Sequence, residues 1–142
     1  MSTFHLEVLT PEHRFFAGEV SAVTVDCTDG KMTIYRDHIP LIAGLAIGEM
    51  RIRFADGAWN SAFTSIGFIE VRRDKVIVFV QACEWPEDID VNRAREAAER
   101  AERKMRENQS RMQYRHSQIS LARAMARLRA SGQRDIDWDR QK

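Results

Sequence analysis

Glu84-Trp85-Pro86-Glu87-Asp88-Ile89-Asp90-Val91-Asn92-Arg93-Ala94-Arg95-Glu96-Ala97-Ala98-Glu99-Arg100 is where this chain changes its periodicity. Upstream, apolar residues alternate or run in short blocks. Downstream, they recur every three or four positions, the spacing of one helix face. Pro86 stops the last extended run, and Asp88 or Asp90 offers a side-chain oxygen to the free N–H groups of a helix start. The joint divides the 142 residues into a platform (1–87), an arm (88–131) and a polar tail (132–142).

Working back from the joint, Val76-Ile-Val-Phe-Val80 is apolar on both faces and reads as a strand covered on both sides. Asp74-Lys75 turns the chain before it, and Gly67 to Arg72 alternates. Arg51-Ile-Arg-Phe54 alternates into Asp56-Gly57, and Trp59, Ser61 and Phe63 continue the return strand. Met32 to Tyr35 is a short strand that follows Asp29-Gly30; in both Asp-Gly pairs glycine accepts the positive φ of a hairpin turn. Phe4, Leu6 and Val8 share one side of a first strand, which Thr10-Pro11-Glu12 ends. Turns every 8–12 residues between short strands indicate an antiparallel sandwich or barrel.

Working forward, Ala94, Ala97, Ala98, Ala101 and Met105 form one helical stripe, interrupted at Asn108-Gln109-Ser110. A second stripe runs through Ile119, Ala122, Met125, Ala126 and Leu128 until Ser131-Gly132. Two helices with a short connection form an antiparallel hairpin. The predicted fold class is therefore α+β in two domains, an antiparallel β-sandwich followed by an α-helical hairpin. Alanine methyls bury little area at ~25 cal/mol per Å², so the hairpin is expected to rest lightly on its platform and to be able to leave it.

Charge follows the same division. Residues 1–90 hold 8 Lys/Arg against 14 Asp/Glu, a net −6; residues 91–130 hold 11 against 4, a net +7; the tail balances at 3 against 3. An acidic body with a basic arm invites internal docking or an acidic partner. No apolar run approaches the ~20 residues that span a bilayer, and no charged-then-apolar leader opens the chain, so neither secretion nor import is expected. Cys27 and Cys83 are expected to be buried free thiols.

No catalytic apparatus is visible. Neither a phosphate loop nor a dinucleotide fingerprint occurs, and His5, His13, His38 and His116 lack metal-ligand spacing, so catalytic and metal residues are expected to be none. The arginines are more informative. Arg93 and Arg100 lie two turns apart on one helix face, and Arg123 and Arg127 share a face of the second helix. If the closed hairpin brings them together, their guanidiniums suit the oxygens of a polyphosphate. The competing reading is a solvated basic face with pairs such as Glu96–Arg100 and Glu99–Arg103.

Motifs in order along the chain carry a resemblance. Gly30-Lys-Met32-Thr33-Ile34-Tyr-Arg36-Asp37-His38-Ile-Pro40-Leu41-Ile42 stands where one family reads Gly-x-Leu-Gly-Ile-x-x-Gly-His-x-Pro-Leu-Leu. Ser65-Ile66-Gly67-Phe68-Ile69-Glu70-Val71 stands where it reads Ser-Gly-Gly-x-Leu-Glu-Val. From Phe4-His-Leu6 to Ala124-Met-Ala-Arg-Leu-Arg129 the chain resembles the epsilon subunit of F-type ATP synthase; only Gly132–Lys142 lies outside the likeness.

The resemblance implies a sandwich of about ten strands with a helical hairpin, in a non-catalytic central-stalk subunit. Its partners would be the gamma subunit, the c-ring and the alpha/beta subunits, with Met32, Arg36, His38, Pro40 and Leu41 at the gamma and c-ring contact. It implies a hairpin that permits ATP hydrolysis when folded and inhibits it when extended. It also implies a peripheral place on the cytoplasmic face of the bacterial plasma membrane, reached through the complex and not by direct membrane contact. Members that bind ATP on the folded arm carry Ile/Leu-Asp-x-x-Arg-Ala; Ile89, Asp90, Arg93 and Ala94 fit it, and Glu84, Arg100, Arg123 and Arg127 match the accompanying positions. No cofactor is required, and ATP is the expected regulatory ligand. Thr33, Asp37 and Ile66 depart from glycine or small residues that serve a positive φ or a close backbone approach, so the geometry at the c-ring contact is expected to differ.

A second reading, from another class, is a nucleic-acid-binding adaptor using the basic arm, which would bind duplex with steep salt dependence. Against it, Tyr114 is the arm's only aromatic before the tail, and the −6 body offsets the +7 arm.

Overall fold

A computed structural model describes residues 2–107 and 110–132 of the chain. Nine strands come first: β1 (Phe4–Leu9), β2 (Arg14–Cys27), β3 (Gly30–Ile34), β4 (Leu41–Leu45), β5 (Gly48–Phe54), β6 (Trp59–Thr64), β7 (Gly67–Val71), β8 (Val76–Val80) and β9 (Cys83–Glu84). A single 3-10 turn at Pro86–Asp88 leads into α1 (Val91–Arg106), and α2 (Arg111–Ala130) follows.

The strand order is β1-β8-β7-β4-β2-β5-β6-β9, with β3 on β2 and β1 also paired to β2. The long strand β2 makes this topology possible. Its first half pairs with β1, from Phe4↔Val20 to Leu9↔Arg14. Its second half pairs with β5 on one side and β3 on the other. One strand thus crosses both layers, and the path from β1 through β8, β7 and β4 returns to β2. Leu6, Val8, Val20, Val23, Ile34, Met50, Ile52, Ile69 and Val78, all wholly buried, fill the space between the layers. The described residues show nine strands against about ten expected. One pairing is not antiparallel, since β1 and β8 run parallel from Leu6↔Val76 to Leu9↔Phe79. Nothing local encodes that pairing, because its partners are about seventy residues apart and both are short apolar blocks.

Both helices start where the sequence supplies a cap. Asp90 Oδ1 accepts the Arg93 N–H at 3.0 Å. Ser110 and Gln113 close a reciprocal capping box, each side chain accepting the other's backbone N–H at 3.2 Å. On α1 the buried residues are Ala94, Ala98 and Ala101, the stripe expected. On α2 they are Ser117, Ala124, Ala126 and Ala130, which differs from the expected stripe. Ile119 is 41% exposed and Ala122 is exposed as well. At 100° per residue Ala124 and Ala126 face opposite ways, so α2 has two narrow buried lines. Ser117 and Ala124 face α1, while Ala126 and Ala130 face the sandwich. A helix clamped between two neighbours by small residues gives no single broad stripe, which is why the pattern misled.

The three departures from the family's glycines fit without general distortion. Asp37 alone among the described non-glycine residues has positive φ, at 62°. Thr33 pairs its hydroxyl with that of Thr24 at 2.8 Å. Ile66 needs no unusual backbone, whereas Gly67 beside it lies so close to the Phe79 carbonyl that a Cβ would collide with it. The tail, Gln133–Lys142, lies outside the described residues.

Candidate functional site

The outward parity of β6 builds the seat for the arm. Trp59, Ser61 and Phe63 point away from the sandwich core, opposite Arg53, Arg51 and Glu49 of β5. Phe63 is nonetheless wholly buried, because Ile89, Ala126 and Ala130 close over it, with Ile47 and Ala82 at the rim. A large ring on the outer face of a sheet, beside exposed polar neighbours, implies a cover. The sequence carries that signal in the parity of Trp59, Ser61 and Phe63.

Beside the ring, β9 pairs Glu84 directly with Phe63. The Glu84 carboxylate accepts two hydrogen bonds from Arg127 of α2, from Nε at 2.9 Å and from Nη2 at 3.4 Å. The same guanidinium lies over the Phe63 ring, 4.4 Å from its centroid. Both side chains are about one-third exposed, so the pair is screened on one side and sheltered on the other.

Other residues expected at a nucleotide site have visible structural work. Ile89 plugs the Phe63 cluster. Asp90 caps α1, and Ala94 lies buried on the inter-helix side. Arg93 is exposed at the first turn of α1, and Arg123 is half-buried on α2. Arg100 lines a cleft of about 230 Å³ between the helices with Lys104, His116, Ser117 and Ser120. Neither Arg93 nor Arg123 lines that cleft, so the structure joins Glu84 with Arg127 and leaves the other arginines apart. Among the described residues no carboxylate lies within ion-pair distance of Arg93, Arg100 or Arg123; the pairs Glu96–Arg100 and Glu99–Arg103 do not form, and Glu102–Arg106 at 3.7 Å does. Trp85, next to Glu84, points the other way and stacks on Phe15 with centroids 4.6 Å apart.

The expected partner-contact residues divide similarly. Met32 and Leu41 pack against the sandwich core. Arg36, His38 and Pro40 line an open cleft of about 680 Å³ with Arg72 and Arg73. His38 Nδ1 lies 2.8 Å from the Ile39 carbonyl oxygen. Ile39 and Ile42, at 73% and 71% exposure, are the apolar residues of this end that the motif reading passed over.

Among the described residues, no group of His, Cys, Asp and Glu side chains could hold a metal ion, and no helix is long and apolar enough to cross a membrane. The chain is thus a two-module protein, a β-sandwich that carries a helical hairpin on its outer face. The ATP synthase delta/epsilon β-sandwich domain matches residues 3–86, and the long α-helix domain of the same chain matches residues 87–132. The ATP synthase epsilon chain of Caldanaerobacter subterraneus subsp. tengcongensis is 48% identical over 89% of this chain and 92% of its own. That of Ruminiclostridium cellulolyticum is 42% identical over 94% and 99%. The chain belongs to the ATP synthase epsilon-chain family. A chain of the Euglena gracilis mitochondrial ATP synthase shares the fold, with a TM-score of 0.80 at 20% identity over 89% of this chain and 79% of that one.

Proposed function

We propose that this epsilon-family chain couples and regulates a bacterial-type F-type ATP synthase without contributing catalytic residues. The sandwich binds the gamma subunit and the c-ring through the end bearing Arg36, His38 and Pro40, with Ile39 and Ile42 as apolar contacts. The complex holds the chain peripherally on the cytoplasmic face of the membrane. The hairpin is the moving part: docked on β5 and β6 it permits ATP hydrolysis, and released it reaches the alpha/beta subunits and inhibits. ATP favours the docked state through the guanidiniums of Arg93, Arg100, Arg123 and Arg127.

The observation that carries this reading is the size of the seat. The apolar contact that α2 buries on the sandwich is two alanines on one phenylalanine, joined by a single ion pair, while the helix also runs along β5. A buried methyl contributes about 0.8 kcal/mol, and a ligand at a hundred times its dissociation constant contributes about 2.7 kcal/mol. A nucleotide is therefore strong enough to decide where the arm rests, provided it binds the two positions unequally. Arg93, Arg100 and Arg123, each without a carboxylate partner among the described residues, supply the charge. Titration calorimetry with ATP on the whole chain tests the nucleotide limb, with saturable heat lost in Arg93→Ala as the expected result. No heat up to millimolar ATP removes nucleotide control. Inhibition is tested separately, by adding the chain, with and without residues 89–142, to the remaining ATP synthase subunits and measuring hydrolysis.

A further inference from the structure

Phe63 belongs to no motif that identifies the family, and Glu84 and Arg127 entered only as nucleotide positions. The geometry gives the three a different task. Strand pairing sets Glu84 directly opposite Phe63, so ring and carboxylate form a corner on one face of the sheet. Arg127 fills the corner: its Cζ lies over the ring, 4.4 Å from the centroid, and its Nε and Nη2 bond the two carboxylate oxygens. A guanidinium satisfies a carboxylate in the plane and an aromatic face above it at once, and an ammonium satisfies neither geometry as well. Ala126 and Ala130 sit on the same ring, so one side chain, Phe63, underlies both buried alanines of this face and the Arg127 guanidinium.

All of these contacts are between side chains of the chain itself. We propose that Phe63, Glu84 and Arg127 form a ligand-independent clasp that holds the hairpin down, and that Arg127 is a docking residue before it is a phosphate ligand. The inference rests on the reading of the hairpin as a releasable arm. It narrows the nucleotide site, because a phosphate reaching Arg127 must compete with the Glu84 carboxylate already bound there. Of the four arginines named for the nucleotide, Arg93, Arg100 and Arg123 then remain without a carboxylate partner among the described residues. Arg127 sets how easily the arm departs. Glu84 and Phe63 are positioning residues on the stationary side.

The test is amide exchange across α2, measured in nucleotide-free solution on the whole chain. Arg127→Gln and Glu84→Gln are each expected to speed exchange at 122–130 by about five- to tenfold, the worth of a partly sheltered ion pair with its ring contact. The double variant should add little beyond the faster single one. The exchanged pair, Glu84→Arg with Arg127→Glu, restores the ion pair and not the guanidinium over the ring, so its exchange should fall between the single variants and the parent. Phe63→Leu keeps apolar volume and removes the ring face, so it should speed exchange while Val76–Val80 amides, as an internal control, stay slow. Unchanged α2 exchange in both Gln variants overturns the clasp, whatever the ATP titration shows. An ATP titration that fails while the Gln variants open the arm overturns nucleotide control and leaves the clasp standing.

Discussion

Ala126 of α2 and Phe63 of β6 are both wholly buried, and they are buried against each other. One turn earlier on the same side of α2, Ala122 is exposed. The contact between arm and platform therefore ends within four residues. Changing Ala126 to Glu forces a longer, charged side chain into a wholly buried contact with the Phe63 ring, which the arm escapes by lifting. The same change at Ala122 meets solvent. Ala126→Glu is expected to abolish protection of α2 amides and to leave the sandwich's urea midpoint within about 0.5 kcal/mol of the parent. Ala122→Glu should do neither. A loss of sandwich stability in Ala126→Glu would show that arm and platform fold as one unit.

Two glycines with similar sequence settings should behave oppositely. A Cβ on Gly67 would run into the carbonyl of Phe79, which is backbone and has no room to yield. A Cβ on Gly44 meets Thr28 Cγ2 at 3.7 Å, an ordinary contact. Gly67→Ala is expected to destabilise the sandwich by about 3 kcal/mol through separation of β7 from β8. Gly44→Ala should be neutral to slightly stabilising, by ~0.5 kcal/mol, through the unfolded chain. Urea unfolding of the two variants measures the difference.

Asp37 occupies a left-handed conformation, with φ at 62°, in the turn closed by His38 N–H to the Tyr35 carbonyl. That conformation costs about 1 kcal/mol for a residue with a Cβ. Asp37→Gly is expected to stabilise the chain by ~0.5–1 kcal/mol, and Asp37→Val to destabilise it by a similar amount. If neither variant moves the unfolding midpoint, the turn carries no strain.

These positions also show what the sequence disclosed and what it withheld. The joint at Pro86 to Asp90, the Asp-Gly hairpins and the α1 alanine line rest on local chemistry, and each is a feature of the structure. Gly67 was recognised through a motif, but its reason, the Phe79 carbonyl, lies on a neighbouring strand. The docked line of α2, Ala126 and Ala130, is hidden in the sequence because two alanines facing a sheet look like any other alanines. Ile-Asp-x-x-Arg-Ala was read for its chemistry, yet three of its named residues also form the joint: Ile89 as plug, Asp90 as cap and Ala94 as seam. The pairing of Glu84 with Arg127 spans 43 residues. No periodicity reaches that far, so only the folded chain could pair them.

Cys83 adjoins the clasp from inside the sandwich and gives the stability a pH dependence. Burial pushes its thiol up to about 12, and the neighbouring Glu84 charge adds to the shift. In the unfolded chain a cysteine ionises near ~8.5. Between those values the folded chain keeps the proton that the unfolded chain releases, so rising pH favours unfolding. The contribution is complete below about pH 8.5 and is lost at ~1.4 kcal/mol per pH unit as pH climbs toward the folded value. Cys27 is raised in the same direction, chiefly by burial and then by Asp26 and Asp29. Urea unfolding of the parent and of Cys83→Ala at pH 8, 9, 10 and 11 separates this thiol from the lysines and tyrosines that titrate in the same range. The variant is expected to start less stable and to lose stability with pH less steeply, so that the two curves converge. Parallel curves would mean that the thiol is hydrated in the native chain, and that β9, which positions Glu84, opens to water.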